Sequence, residues 1–384
     1  MFSKLSRGDS ISGKHVNTGF RTTKSTFPFA LSEQRFDVVA PCKLLPGTEG
    51  GCQVAAKQQR LTPPQAPAAS KHKGKGKGKS GNPAARVYAD VRPARFSDWV
   101  AGARIPTLPM SISPVLVGTG AAIAASDPGQ YHWVRALLCL VVAVSLQIAV
   151  NYANDYSDGI RGTDRDRVGP FRLVGSGKAT PKAVLTAALV FFGTAAVAGL
   201  VLTILTQQWW LLAVGALAIV AAWFYTGGKR PYGYLALGEL FVFIFFGLVA
   251  TLGTTFVQIL ALTQEAWLGA VGVGLISVAT LIVNNIRDIT QDRAAGKRTL
   301  TTFLGTVPSR VLYIVCLLAP FGIAVWIAVL YPIAWFALFA LLAALPAAII
   351  VATARTPKEY ILALKLTGLT QLLYGIALFV AFWK

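Results

Sequence analysis

Two short stretches hold six of the chain's sixteen acidic residues, and each closes an apolar run. The first, NYANDYSDGIRGTDRDR (151–167), carries Asp155, Asp158, Asp164 and Asp166. The second, LIVNNIRDITQDRAAGKR (281–298), places Asp288 and Asp292 four residues apart, after Asn284 and Asn285. Residues four apart share a helix face, so Asn154 with Asp158, and Asp288 with Asp292, form two acidic ridges. Carboxylates paired on one face repel each other when both are ionised and need a compensating cation. Mg2+ is the hard divalent ion that suits them, because it is held by one or two carboxylates together with the oxygens of a phosphate substrate. Asn154, Asp158, Asp288 and Asp292 are therefore the candidate metal ligands. A diphosphate leaving group is the ligand this pattern fits.

Cations lie close to these acids along the chain. RVGPFRLVGSGK (167–178) supplies Arg172 among glycines, and FYTGGKRPYGY (224–234) sets Tyr225 four residues before Lys229, which is followed by Arg230. Arg287 and Lys297 flank the second acidic pair. Arg and Lys make charge-assisted contacts to phosphate oxygens, and glycines let the backbone approach a ligand closely. Arg172, Tyr225, Lys229, Arg230, Arg287 and Lys297 are the candidate diphosphate-binding residues. Ionising an allylic diphosphate puts negative charge on the leaving group, which Lys229 and its neighbours would stabilise. Asp158 and Asp164 are the carboxylates available to orient a phenol.

The elements that must carry these residues are membrane helices. The 384-residue chain is 54% hydrophobic and only 14% charged, which describes a polytopic membrane protein. With about 20 apolar residues needed per span, about nine spans fit, near 105–126, 133–153, 182–206, 209–226, 234–255, 266–286, 309–330, 333–354 and 360–383. Basic residues concentrate before residue 105 and after the second, fourth, sixth and eighth stretches, so the formal charge of +20 reads as topology. By the positive-inside rule the N-terminus and these connections face the cytoplasm. The acids then form a cytoplasmic cap over an all-α bundle. No basic motif interleaved with aromatics points to nucleic acid, and no obligatory protein partner is inferred; the lipid bilayer is the partner the composition demands.

Residues 1–96 differ in kind. They are rich in Ser, Thr, Gly, Pro and Lys, include KHKGKGKGKSG (71–81), and show no periodicity that could bury a core. They read as a disordered basic tail or a targeting segment, with 97–384 as the transmembrane domain. The four cysteines form no CxxC pattern, so neither zinc nor a disulfide framework is indicated. Glu239, inside the fifth stretch, is a functional candidate by its position or a carboxylate satisfied by a neighbouring helix. The small-residue run GTAAVAG (193–199) reads as close helix packing.

NDYSDGIRGTD, RVGPFRLVGSG, YTGGKRPYGY and NNIRDITQDRAAGKRTL together resemble, in order and on one side, the motifs of the UbiA-type intramembrane prenyltransferase superfamily. They are most similar to its 1,4-dihydroxy-2-naphthoate polyprenyltransferase branch of menaquinone synthesis. The resemblance covers roughly residues 97–384. It implies a nine-helix fold with two Asp-rich motifs that bind Mg2+ and polyprenyl diphosphate, and transfer to 1,4-dihydroxy-2-naphthoate with loss of CO2. The family's NxxxDxxxD motif maps onto Asn154 and Asp158, but Gly162 stands where its last aspartate would fall and the next acid is Asp164. The DxxxD motif maps onto Asp288 and Asp292. For a bacterial protein the implied site is the inner (plasma) membrane; were the tail a transit peptide, it would be a plastid membrane and the phylloquinone precursor. Other acceptors of the superfamily, such as 4-hydroxybenzoate or homogentisate, remain alternatives. A secondary transporter is the rival from another class, though its binding groups belong near the bilayer midplane and not at helix ends.

Overall fold

The computed structural model describes residues 93–162, 171–229 and 231–383, so the tail expected over residues 1–96 lies outside the described residues up to residue 92. Among the described residues the chain is helical, and its strand-like pairing is an isolated bridge between Leu235 and Arg298. The helices are α1 (Phe96–Gly102), α2 (Pro109–Ala124), α3 (Trp133–Arg161), α4 (Pro181–Thr206) and α5 (Leu211–Phe224). There follow α6 (Gly238–Ile259), α7 (Gln264–Ala294), α8 (Leu300–Leu304), α9 (Thr306–Leu330), α10 (Pro332–Thr353) and α11 (Pro357–Trp383).

Seven of these are long and apolar enough to cross a bilayer, and an eighth span appears if the bent pair α1 and α2 counts as one. The bend of 53° has a local cause. Arg104 adopts a left-handed backbone with φ of 57°, and Pro106 and Pro109 on either side of the break cannot donate to a continuous helical ladder. The fourth apolar stretch becomes α5, whose 14 residues rise only about 21 Å, less than the hydrocarbon thickness of about 30 Å. Elsewhere the boundaries follow ordinary capping chemistry. Thr180 caps α4 through Ala183 N, with Pro181 in the first turn, Thr263 caps α7 through Ala266 N, and Gly162 at φ 72° ends α3.

The bundle has two buried regions. The larger surrounds α7, which packs against α2, α9 and α11. The second lies between α3 and α4. Helix α6 contains a π-helical segment, Phe243–Val249, whose Gly247 rides on Gly274 of α7 so closely that an added Cβ would lie 2.7 Å from the Gly274 Cα. On the outside, large apolar side chains such as Leu189, Val197, Leu217, Val329 and Leu342 are exposed, as a hydrocarbon solvent requires. Tyr131, Trp133 and Trp383 cluster with ring centroids 5.2–6.3 Å apart at one end, in the manner of an interfacial aromatic belt. α3, α5 and α7 finish at the other end, where the acids are.

Candidate active site

Asp158 sits in the last turn of α3, and three connections converge on it. Tyr234, after α5, donates to its Oδ1 at 2.9 Å; Lys297, after α7, lies 3.5 Å from the same oxygen; Arg172, after α3, lies 3.4 Å from Oδ2. Lys297 Nζ also stands 4.6 Å over the Tyr234 ring, and the Arg161 guanidinium 5.6 Å from its centroid. Burial first, and the adjacent Asp158 second, push the Tyr234 phenol well above its ordinary value. It therefore stays a donor to the carboxylate throughout the neutral range.

The connections themselves are pinned to α3. Asp155, 1% exposed, accepts from the backbone N–H groups of Leu173 at 2.6 Å and Val174 at 3.1 Å, which fixes the loop that carries Arg172. Asn154 Oδ1 accepts from the Thr226 hydroxyl, and Arg161 donates to the Thr226 and Gly228 carbonyls. These contacts hold the turn after α5 against the end of α3. The bridge between Leu235 and Arg298, with Arg298 N donating to Tyr234 O at 3.2 Å, ties the same turn to the chain leaving α7.

From α7 comes a buried arginine. Arg287 donates to the adjacent Asp288 from Nε at 2.8 Å and from Nη2 at 2.7 Å. Its Nη1 is also buried yet has no hydrogen-bond partner among the described residues. A desolvated guanidinium N–H that faces no acceptor costs free energy, and an anionic oxygen would recover it. Asp292, one turn further on, is buried and lines the cleft.

Asn154, Asp158, Arg172, Tyr225, Arg287, Asp292 and Lys297, seven of the residues singled out in the sequence, line one small polar cleft of about 60 Å3. Asp288 is not among the lining residues; its carboxylate, 1% exposed, pairs with Arg287. Lys229 is exposed on the turn after α5 and does not line the cleft, while Asp164 and Arg230 lie outside the described residues. Glu239 is buried and accepts from Asn285 Nδ2 at 3.0 Å, so a neighbouring helix satisfies it. Sequence reasoning passed over Tyr234, Thr226 and Arg104, all of which line the cleft. Tyr234 stood in the quoted PYGY, but nothing in spacing alone marks which tyrosine meets the acid.

The donor set suits a hard cation. It is all oxygen, from Asp158, Asp292 and amide side chains, with no thiol or imidazole. Among the described residues no three acidic, His or Cys groups gather closely enough to hold a metal alone. Such a site fits Mg2+ only where ligand oxygens complete the coordination, which is the mode that phosphate substrates provide.

Beneath the cleft opens an apolar cavity of about 500 Å3 between α3, α4, α5 and α6. Arg104, Asn154, Tyr225 and Asn284 line both spaces, so the charged cleft is the head of the greasy one. The small residues of α4 divide their work in a way the packing expectation for GTAAVAG did not foresee. Ala195 and Ala198 are buried, but a Cβ added at Gly193 or Gly199 would meet nothing within 4 Å, and Gly199 faces the cavity.

The UbiA prenyltransferase family model matches residues 111–381. A 1,4-dihydroxy-2-naphthoate octaprenyltransferase of Mycobacterium tuberculosis is 50% identical over 288 residues, covering 74% of this chain and 96% of the relative. The Escherichia coli protein of the same name is 37% identical over 231 residues, covering 59% of this chain and 74% of the relative. Among solved structures, a UbiA homolog from Archaeoglobus fulgidus bound to DMAPP and Mg2+ aligns with a TM-score of 0.48 at 14% identity, over 74% of this chain and 99% of that one.

Proposed function

The chain belongs to the UbiA prenyltransferase family, and from that premise we propose that it transfers a polyprenyl chain from its diphosphate to 1,4-dihydroxy-2-naphthoate. The products are diphosphate, CO2 and the hydroquinone form of demethylmenaquinone. The observation that carries this reading is the continuity of the two spaces: a cleft of carboxylates, amides and guanidinium groups forms the mouth of an apolar cavity about eight times its volume. A substrate with a doubly charged head and a hydrocarbon tail matches that division. The names of the Mycobacterium tuberculosis and Escherichia coli relatives supply the acceptor and support the naphthoate branch.

The chemistry begins at the allylic C–O bond. As it breaks, negative charge grows on diphosphate and positive charge on the prenyl carbon, and fixed cations at the head lower the barrier. Arg172, Lys297 and Arg287 would do this; their presence in the cleft lining, and the buried Arg287 Nη1 without a hydrogen-bond partner, support that role. Asp158, Asp292 and Asn154 would hold Mg2+, with Asp288 keeping Arg287 in place; when bound, the ion neutralises the diphosphate oxygens. Tyr234 fixes the Asp158 carboxylate. Lys229, Arg230 and Asp164 complete the proposed set on the strength of their sequence motifs. The apolar cavity keeps water from the allylic cation while the electron-rich ring attacks it, and the carboxyl group departs as CO2. The charge distribution supports an N-terminus in the cytoplasm, and the bacterial relatives support the plasma membrane.

Purified protein in detergent, given Mg2+, a radiolabelled prenyl diphosphate and a panel of aromatic acceptors, is expected to make a prenylated naphthohydroquinone, recovered as the naphthoquinone after oxidation in air, and to release CO2. Turnover of 4-hydroxybenzoate or homogentisate, with none of the naphthoate, would overturn the branch.

A further inference from the structure

The lower part of one polar wall of the cavity, Gln147 and Asn151, is not used by the diphosphate chemistry. Along α3, Gln147, Asn151, Asn154 and Asp158 follow each other at intervals of four, three and four residues, a single stripe that descends from the charged cleft into the apolar space. Gln147 is its deepest member, about 10 Å along the helix axis below Asn154. It lines the cavity, its residue is 6% exposed, and its Oε1 is buried with no hydrogen-bond partner.

The amide cannot relieve this by rotating. The Thr107 hydroxyl gives its proton to the Arg104 carbonyl at 2.8 Å and accepts from Gln147 Nε2 at 3.0 Å and from Asn151 Nδ2 at 3.2 Å. Asn151 Nδ2 is held in turn by the Ala103 carbonyl at 2.9 Å. A hydroxyl has one proton, so the side of Gln147 that faces Thr107 has to be the donating NH2. The carbonyl oxygen is left outside the network as a buried acceptor without a partner, on a residue that lines the cavity.

We propose that Gln147 is a specificity-determining residue that accepts a hydrogen bond from a ring hydroxyl of the aromatic acceptor. The inference rests on the prenyl-transfer reading and adds to it the place where the acceptor is recognised. A site built around an acceptor atom rejects a ring lacking the matching hydroxyl, because the buried oxygen is then left unpaired. It also sets the ring below the diphosphate head, between the stripe and the prenyl tail.

The test uses the full chain in detergent, with 1,4-dihydroxy-2-naphthoate as substrate and the two naphthoates that each lack one hydroxyl as competitive inhibitors. In the unmodified protein, one of the two should inhibit about tenfold less well than the other, the loss of one neutral hydrogen bond at a buried partner. Gln147→Leu should raise the KM for the dihydroxy acceptor by about tenfold, leave the KM for prenyl diphosphate unchanged, and abolish the difference between the two inhibitors. Gln147→Met, closer in shape, serves if the leucine variant does not elute as a folded monodisperse peak. Equal inhibition by both analogues in the unmodified protein, or a variant that keeps the original discrimination, overturns the role of Gln147 while leaving the reaction intact. Failure of the unmodified protein to bind any naphthoate overturns the underlying reading instead.

Discussion

Asp158 is the residue on which the cleft closes, and its surroundings make distinct predictions. Asp292→Asn and Asp158→Asn should each lower kcat by about 10²–10³-fold, the usual loss when one preorganised electrostatic group is removed from a site; steady-state rates at saturating metal would measure it. Asp155 is a different kind of carboxylate, since it touches backbone and not the cleft. Asp155→Ala should cost about 3 kcal/mol by leaving two buried N–H groups unpaired, seen as a lowered Tm in detergent. Tyr234 gives the pH dependence. Its raised pKa means that it contributes stability in full below the ordinary tyrosine value near 10, and that this is lost as pH climbs beyond it toward the folded value. Thermal scans from pH 8 to 11 should show that decline, and Tyr234→Phe should flatten it. The two acidic ridges were legible in the sequence because spacing of four is a helix property. Which of the acids line the cleft was not: Asp288 pairs with its neighbour Arg287, and neither that pairing nor the capture of Asp155 by the 173–174 backbone leaves a mark in spacing.

At the scale of helices, the long apolar spans were legible because lipid admits little else: of the nine stretches read from hydropathy, seven are long enough to cross, an eighth is the bent pair α1 and α2, and the remaining one is the short α5. The bend just before α2 and the shortness of α5 were not legible, because hydropathy does not register where a backbone turns. The glycines show the same limit. Gly199 on α4, Gly215 on α5 and Gly253 on α6 all line the cavity, and a Cβ at any of them would meet nothing within 4 Å. Sequence cannot separate a glycine that admits a neighbouring helix, such as Gly247 against Gly274, from one that keeps a space open. Gly215→Leu adds a side chain close in size to one isoprene unit. It should therefore shift the preferred donor toward shorter prenyl diphosphates, read from product chain lengths in a mixed-donor assay, while Gly247→Leu should simply destabilise the protein.

For the whole molecule, charge and aromatic residues assign the two ends. The acidic cleft and its cations gather at the end where α3, α5 and α7 finish, and the Trp133, Trp383 and Tyr131 cluster marks the opposite one. With Cys42 and Cys52 replaced by serine, Lys229→Cys should react with an impermeant thiol reagent in inverted vesicles only. Labelling from the periplasmic side would reverse the proposed orientation. The central claim, that the cleft takes a diphosphate through metal and carboxylates, is tested most directly by equilibrium binding of a non-ionisable prenyl thiodiphosphate to the unmodified protein, Asp158→Asn and Asp292→Asn, each with Mg2+ and with EDTA. The account predicts tight binding to the unmodified protein with Mg2+ alone, and binding weakened at least tenfold by chelation or by either substitution. Equal affinity in EDTA, or in both variants, would contradict it.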